Sequence, residues 1–340
     1  MDKLELLARN MVEVITEAEA KDALESGRNK AYIGFEPSGL PHIATGLLWP
    51  RKLNDLIELG LDTTVLLADW HAKVNDKLGG DLSRIQESGR LLLKSMKVMG
   101  LSDKVKFLWT SDMVSDPEYW STLLNVAKTA NLSRIRRALP IMGRTEEDAD
   151  KDFSKYIYPL MQVTDIFYMD LDFAFGGMDQ RHAHMLARDV AEKMGRKKVI
   201  SVHGPLLGSL TGTGRMDSFK KMSKSDPNSA IFLFDPPEKV RSKIKKAYCP
   251  IKEVEGNPVM DIIRHIIMPY YGENFLIRRP PQKGGEISPE TYGELEKLYV
   301  NGDIHPVDLK NAVSDALNEM IAPANRLVER EEIDLSNFQV

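Results

Sequence analysis

Cysteine is almost missing from this chain: Cys249 is the only one in 340 residues. No internal disulfide framework can form, and no cysteine-rich zinc site can be assembled. Long apolar runs are missing as well, since no window approaches the ~18 uninterrupted apolar residues of a membrane span. Met1-Asp2-Lys3-Leu4-Glu5 leads into a charged amphipathic stretch instead of the apolar core of a signal peptide. Nor is one sign of charge in excess, because 46 Lys plus Arg against 50 Asp plus Glu leaves −4. That balance excludes a histone-like basic coat, though a local nucleic-acid surface stays open. What remains is ordinary globular material, 42% hydrophobic and 28% charged, long enough for two modest domains. A soluble cytoplasmic protein without a membrane partner is the expectation.

Apolar positions at helical spacing (Leu4, Leu7, Met11, Val14, Ile15) predict one peripheral helix over the first ~26 residues. A short buried strand at 31–35 follows, then a helix over 41–59 that Pro50 should kink or break. Next come a strand at 63–68, a helix over 82–99 and a strand at 105–109. Strand and helix alternating at this spacing imply parallel pairing through right-handed crossovers. The fold class is therefore α/β, a Rossmann-like doubly wound parallel sheet. A basic helical insertion, about 115–150, interrupts the rhythm. It resumes with a strand at 168–175, the turn Gly176-Gly177, a helix closed by Gly195 and a strand at 198–202. Beyond a glycine-rich loop, Asp235-Pro236-Pro237-Glu238 has the form of a helix start with Asp235 as its cap. Helical patterns dominate from there on. The expected division is a catalytic domain over 1–228 and a mainly α-helical domain over 229–340.

Two short segments could carry chemistry. Pro41-His42-Ile43-Ala44-Thr45-Gly46 opens the helix after the first strand, and Lys221-Met222-Ser223-Lys224-Ser225 ends the glycine-rich loop. Ligands of doubly wound folds sit beyond the carboxyl ends of the strands, where helix N-termini offer unpaired N–H groups. A histidine there can donate to a phosphate, and a loop with two lysines can neutralise charge as it develops. Either segment alone is ordinary structure. Together, in this order on this fold, they point to a nucleotide. A third feature is the stripe Tyr158, Gln162 and Asp165, spaced i, i+4, i+7 among the apolar Leu160, Met161, Val163 and Ile166. A polar stripe inside an apolar segment predicts a buried site whose donors and acceptors need a guest.

At these residues the chain resembles the class I aminoacyl-tRNA synthetases. Their Lys-Met-Ser-Lys-Ser loop stands unaltered at 221–225, whereas of His-Ile-Gly-His only His42 and Ile43 match, with Ala44 and Thr45 in place of Gly and His. Archaeal and eukaryotic-type tyrosyl-tRNA synthetases depart in a comparable way. The segments at 32–39, 66–71, 158–165, 176–181 and 305–310 are similar to those of the archaeal enzymes, from Tyr32-Ile33-Gly34-Phe35 to His305-Pro306-Val307-Asp308.

The resemblance implies tyrosine–tRNA ligation: tyrosine and ATP give tyrosyl-adenylate, and tyrosine then passes to the 3′ end of tRNA(Tyr). It implies that Tyr158, Gln162 and Gln180 hold the α-ammonium group, that Asp165 and Tyr32 pair with the phenolic hydroxyl, and that Leu66 and His71 line the pocket. ATP with Mg²⁺ would meet Gly34, His42, Gly46, Met222, Lys221 and Lys224. His42, Thr45, Lys221, Ser223 and Lys224 would act in catalysis, with no metal ligated by the protein. The insertion would form a homodimer interface and touch the acceptor end through Arg134, Arg136 and Arg137. His305 and Asp308 would read the first anticodon base. Lys283 stands where the family has an aromatic residue before Gly284-Gly285, which implies a phosphate contact in place of stacking. Arg144 and the run Lys239, Arg241, Lys243, Lys245 and Lys246 are further candidates for a polyanion. Two alternatives stay open: a tryptophanyl-tRNA synthetase, which shares the fold and whose substrate also offers an N–H to a carboxylate, and a non-catalytic synthetase-like RNA-binding protein.

Overall fold

Short runs rich in Val, Ile, Leu and Phe form the strands of a computed structural model that describes residues 2–212, 221–222 and 226–338. Ser223, Lys224 and Ser225 therefore lie outside the described residues. Among the described residues the strands are β1 (Glu13–Ile15), β2 (Lys30–Phe35), β3 (Asp62–Leu67), β4 (Lys106–Trp109), β5 (Phe173–Gly177) and β6 (Ile200–Gly204). They form one sheet in the order β1-β6-β5-β2-β3-β4. All neighbours are parallel except β1, which pairs antiparallel with β6 at the edge. The strand order reverses between β5 and β2, and a crevice at the carboxyl ends of those two strands is where a doubly wound sheet takes its ligand.

The expected elements need four corrections. The first 26 residues are not one helix but Lys3–Ala8, then β1, then Glu17–Ser26, whose start is fixed by Thr16 and Glu19 in a reciprocal capping box. Val14 and Ile15 fit a helical spacing, yet β-branched side chains pack as well on a sheet edge, and Val12 N–H donates to the His203 carbonyl (2.7 Å). The strand expected from 168 begins only at Phe173, because helix Ser154–Tyr168 runs to its last turn before a left-handed turn at Asp170 (φ 50°). The helix expected from 41 is a widened π turn, Ala44–Leu48, followed by Trp49–Glu58. Pro50 has no N–H to give Gly46, so the ordinary ladder is interrupted there. Asp235 does not cap the helix Pro237–Lys246; Pro236 occupies that place, and the Asp235 carboxylate is used elsewhere.

The chain divides into two compact units. The first comprises 1–39, 51–91 and 101–205 and contains the whole sheet. Helix Ser154–Tyr168 is buried on nearly every side in it, its Met161, Val163 and Ile166 packing with Leu66 of β3, Ala174 of β5 and the insertion residues Leu123, Val126 and Ile135. The second unit comprises 40–50, 92–100 and 206–340. Its long helix Pro306–Glu331 buries Leu309, Val313, Leu317, Ile321 and Ala324, one stripe at helical spacing. No helix among the described residues is long and apolar enough to cross a membrane.

Candidate active site

The polar stripe predicted on one helix faces inward, within the first unit. Tyr158 is 5% and Asp165 1% exposed, and Gln162 lies half-buried between them. β2 brings Tyr32 (2% exposed) to the same place, β3 brings Leu66, and the helix Asp69–Val74 brings His71 (2%). Gln180 arrives from the turn Met178–Gln180 after β5. A Cβ at Gly176 would stand 2.9 Å from Gln180, so glycine is what lets that side chain fold back over the strand. Gln162 then links the two sides: its Nε2 donates to Gln180 Oε1 (3.2 Å), and its side chain hydrogen-bonds the Tyr32 hydroxyl. Burial foremost, then the Asp165 charge, drives the Tyr32 phenol well above its ordinary pKa, which keeps it a neutral donor.

Asp165 is held by residues of its own fold. The Tyr119 hydroxyl donates to Oδ1 (2.8 Å), and His71 Nε2 stands 3.0 Å from Oδ2, off the line of a hydrogen bond. A carboxylate offers about four lone-pair positions, so these contacts leave acceptor capacity for a guest hydroxyl. Tyr119 was not among the sequence candidates. Its signal was present: the buried stripe of helix Pro117–Thr129 is Tyr119, Thr122, Leu123 and Val126, and a tyrosine on a buried stripe needs a partner for its hydroxyl. Glu36 was also missed. It accepts from Asn75 Nδ2 (3.0 Å) and from the Tyr158 hydroxyl, while the His71 and Tyr158 rings meet edge to face at 5.2 Å.

Burial pulls the His71 imidazole down, but Asp165, helped by Glu36 and Asp69, outweighs it and holds the pKa above the ordinary 6.5. A histidine raised on folding contributes stability fully below its unfolded pKa and loses it as pH rises through the folded one. The parent's melting advantage over Asp165→Asn should therefore be largest below about pH 6.5 and shrink toward alkaline pH. An NMR titration of His71, assigned with His71→Asn, checks this directly. Its midpoint should lie above 6.5 in the parent and fall in Asp165→Asn; a parent midpoint at or below 6.5 would remove the pair.

The two nucleotide-type segments fall in the second unit. Residues 41–43 pair in antiparallel fashion with 231–233, through Ile43 N–H to the Ile231 carbonyl (3.0 Å) and Leu233 N–H to the Pro41 carbonyl (2.9 Å). His42 is half-buried and lies just before the π turn Ala44–Leu48, its carbonyl accepting from Gly46 N–H (3.0 Å); the turn carries the buried Thr45 and Gly46. Gly46 has a packing reason to be glycine, since its Cβ would fall 2.1 Å from Leu233. Lys221 is exposed and bridges to Gly208, and buried Met222 donates its N–H to the Leu207 carbonyl (2.9 Å). Among the described residues no cluster of three or more His, Cys, Asp or Glu is arranged to hold a metal ion.

The polyanion candidates separate. Arg134, Arg136 and Arg137 are exposed on helix Leu132–Ala138, with Arg134 3.0 Å from Asp189. Arg144 is structural, donating to Asn75 Oδ1 (2.9 Å) and its carbonyl (2.8 Å). Lys243 does not belong with its neighbours: it is 8% exposed and ion-paired with Asp235 at 2.6 Å. Lys283 is exposed in the turn Pro281–Lys283. His305 Nδ1 caps helix Pro306–Glu331 by accepting from Val307 N–H (3.2 Å), and Asp308 lies in its first turn.

Comparison with known proteins agrees with the fold and with the family that the sequence resembles. A family model described as class I tRNA synthetases (W and Y) matches residues 24–322. A tyrosine–tRNA ligase of Picrophilus torridus is 59% identical over 95% of this chain and 98% of its own length. That of Thermoplasma acidophilum is 53% identical over 100% of both. The crystal structure of a Pyrococcus horikoshii tyrosyl-tRNA synthetase complexed with L-tyrosine superposes with a TM-score of 0.92, at 39% identity, covering 99% of each chain.

Proposed function

The chain belongs to the class I aminoacyl-tRNA synthetases of the archaeal tyrosyl type and ligates tyrosine to tRNA at the expense of ATP, and from that premise we propose how its residues divide the work. One observation carries the proposal: the buried Asp165, Tyr32 and His71, with the half-buried Gln162, form a polar cluster whose hydrogen-bonding capacity exceeds what the fold consumes. Asp165 and Tyr32 receive the phenolic hydroxyl of tyrosine, Leu66 and His71 line its ring, and Tyr158, Gln162 and Gln180 hold its α-ammonium group. Tyr119 and Glu36 hold Asp165 and Tyr158 in place.

ATP, entering with Mg²⁺ as part of the substrate, is taken by Gly34, His42, Gly46, Lys221, Met222 and Lys224. A Cβ at Gly34 would meet only the Tyr32 ring, at an ordinary 3.7 Å. Packing does not demand glycine there, and close approach of a ligand is the reason left. Tyrosine's carboxylate oxygen attacks the α-phosphorus, forming a P–O bond and releasing pyrophosphate. A terminal ribose hydroxyl of tRNA then attacks the tyrosyl carbonyl, and AMP leaves. No side chain becomes a covalent nucleophile; placing the carboxylate in line and stabilising charge on the phosphate are enough. His42, Lys221 and Lys224 supply that stabilisation, with Thr45 and Ser223 as hydroxyl donors.

Residues 1–228 act as the catalytic domain and 229–340 as the anticodon-binding domain, within a cytoplasmic homodimer. Leu124 within the insertion and Phe153 just after it, 67% and 74% exposed, are apolar surface that a second copy would cover. Arg134, Arg136 and Arg137 meet the acceptor end, and Lys283, His305 and Asp308 meet the anticodon. Pyrophosphate exchange into ATP, driven in turn by tyrosine, phenylalanine and tryptophan, tests the pocket. Tyrosine alone should support it, because a substrate without the hydroxyl leaves buried polar groups unpaired. Exchange with tryptophan at a comparable rate would overturn the assignment of the pocket.

A further inference from the structure

Lys243 looks like one more cation on a basic helix, and its surroundings say otherwise. Its Nζ donates to the Ala230 carbonyl (2.8 Å) and to Asp235 Oδ2 (2.6 Å), so one ammonium grips both ends of the segment 230–235. The same nitrogen stands 4.8 Å from the centroid of the Phe232 ring. Asp235, 3% exposed, turns its Oδ2 back to accept from Phe232 N–H (3.0 Å), while Oδ1 faces Lys239 at 3.0 Å. Asn325 of the long helix donates to the Asp235 carbonyl (3.4 Å). The segment is thus fixed from helix Pro237–Lys246 on one side.

Its other side carries the nucleotide motif. Ile231 and Leu233 pair with Ile43 and Pro41, His42 lies opposite Phe232, and Leu233 fills the space that a side chain at Gly46 would need. The chain of contact runs from the Lys243 ammonium, through the six buried residues of segment 230–235, to the backbone that aims His42. We propose that Lys243 is a positioning residue for ATP activation: with Asp235 it tethers segment 230–235 and so sets where His42 and the turn after it meet the phosphates. The inference rests on the reading of His42 as a nucleotide contact. A buried ion pair is a weak source of net stability against an apolar replacement, which leaves fixing one geometry as its use here. An active-site group misplaced by a fraction of an ångström loses much of its effect.

The test uses three full-length variants in tyrosine-dependent pyrophosphate exchange, alongside thermal melting. Lys243→Met keeps the stem over Phe232 and removes the tether, but leaves the buried Asp235 carboxylate only the exposed Lys239 as a cation, so its melting temperature should fall. Lys243→Met/Asp235→Asn removes both charges, keeps an amide oxygen to accept from Phe232 N–H, and should recover most of the melting temperature. In each, KM for ATP should rise about five- to fiftyfold while KM for tyrosine stays within twofold, because the tyrosine residues belong to the other compact unit. A double variant with restored melting and an unchanged KM for ATP would show a purely structural pair and overturn the proposal. His42→Asn is the third variant. Unchanged exchange there removes the nucleotide reading itself, and the tether's purpose with it; lowered exchange in His42→Asn beside a normal double variant rejects the tether alone.

Discussion

Replacing Asp165 by alanine should lower kcat/KM for tyrosine by about two to three orders of magnitude, some 3–4 kcal/mol. Three losses combine. The substrate hydroxyl loses a charged acceptor, and a hydrogen bond to a charged group is worth about 1.5–3 kcal/mol. The Tyr119 hydroxyl and His71 Nε2, both buried against the carboxylate, lose the group that orients them. Stranding a buried partner also costs stability, so the melting temperature should drop together with activity. Steady-state exchange with tyrosine and phenylalanine checks this. The preference for tyrosine should fall in Asp165→Ala, since the pocket no longer penalises an absent hydroxyl. Tyr119→Phe is the control: it removes one donor to Oδ1, leaves the carboxylate, and should cost tenfold or less. An Asp165→Ala enzyme that kept its kcat/KM and its preference would put the hydroxyl site elsewhere.

The sequence made the site more legible than its supports. Where several residues of one element share a chemistry, as on the stripe Tyr158, Gln162 and Asp165, spacing alone is informative, because a helix fixes which residues point the same way. β2, β3 and β4 were readable within a residue or so because each holds a short run of β-branched, aromatic or aliphatic side chains. β1 was not, because three residues of which two, Val14 and Ile15, are β-branched satisfy a helical period as easily as a strand, and only pairing with β6 decides. Tyr119 and Asp165 are 46 positions apart, so no local pattern joins them. Lys243 and Asp235 failed in the opposite sense. Both sit in a helix-start pattern that predicts a cap and a solvated cation, and tertiary contact with 230–232 overrides both. Groups that act on the guest were visible as chemistry; groups that act on other groups were visible only as geometry.

Removing the Lys224 ammonium should slow adenylate formation by about 1–4 kcal/mol of barrier, roughly fivefold to a thousandfold in exchange rate. The reason is where charge goes. As the tyrosine carboxylate closes on the α-phosphorus, negative charge builds on the phosphate oxygens and the leaving pyrophosphate, and a cation placed to meet it lowers the barrier more than it tightens ATP in the ground state. The lysine–serine run is anchored at its start: Lys221 bridges to Gly208, and Met222, 5% exposed, is fastened to the Leu207 carbonyl. Lys224 follows two residues later in the sequence, outside the described residues. Lys224→Ala should therefore reduce kcat in tyrosine-dependent exchange while the dissociation constant for tyrosine, measured by equilibrium binding, changes little. Lys221→Ala should behave alike, and the double variant should lose less than the two single losses combined if the lysines serve one phosphate cluster. Unchanged exchange in Lys224→Ala would leave the developing charge to His42 and the N–H groups of the Ala44–Leu48 turn, and the run at 221–225 would then be a binding element without a part in the chemistry.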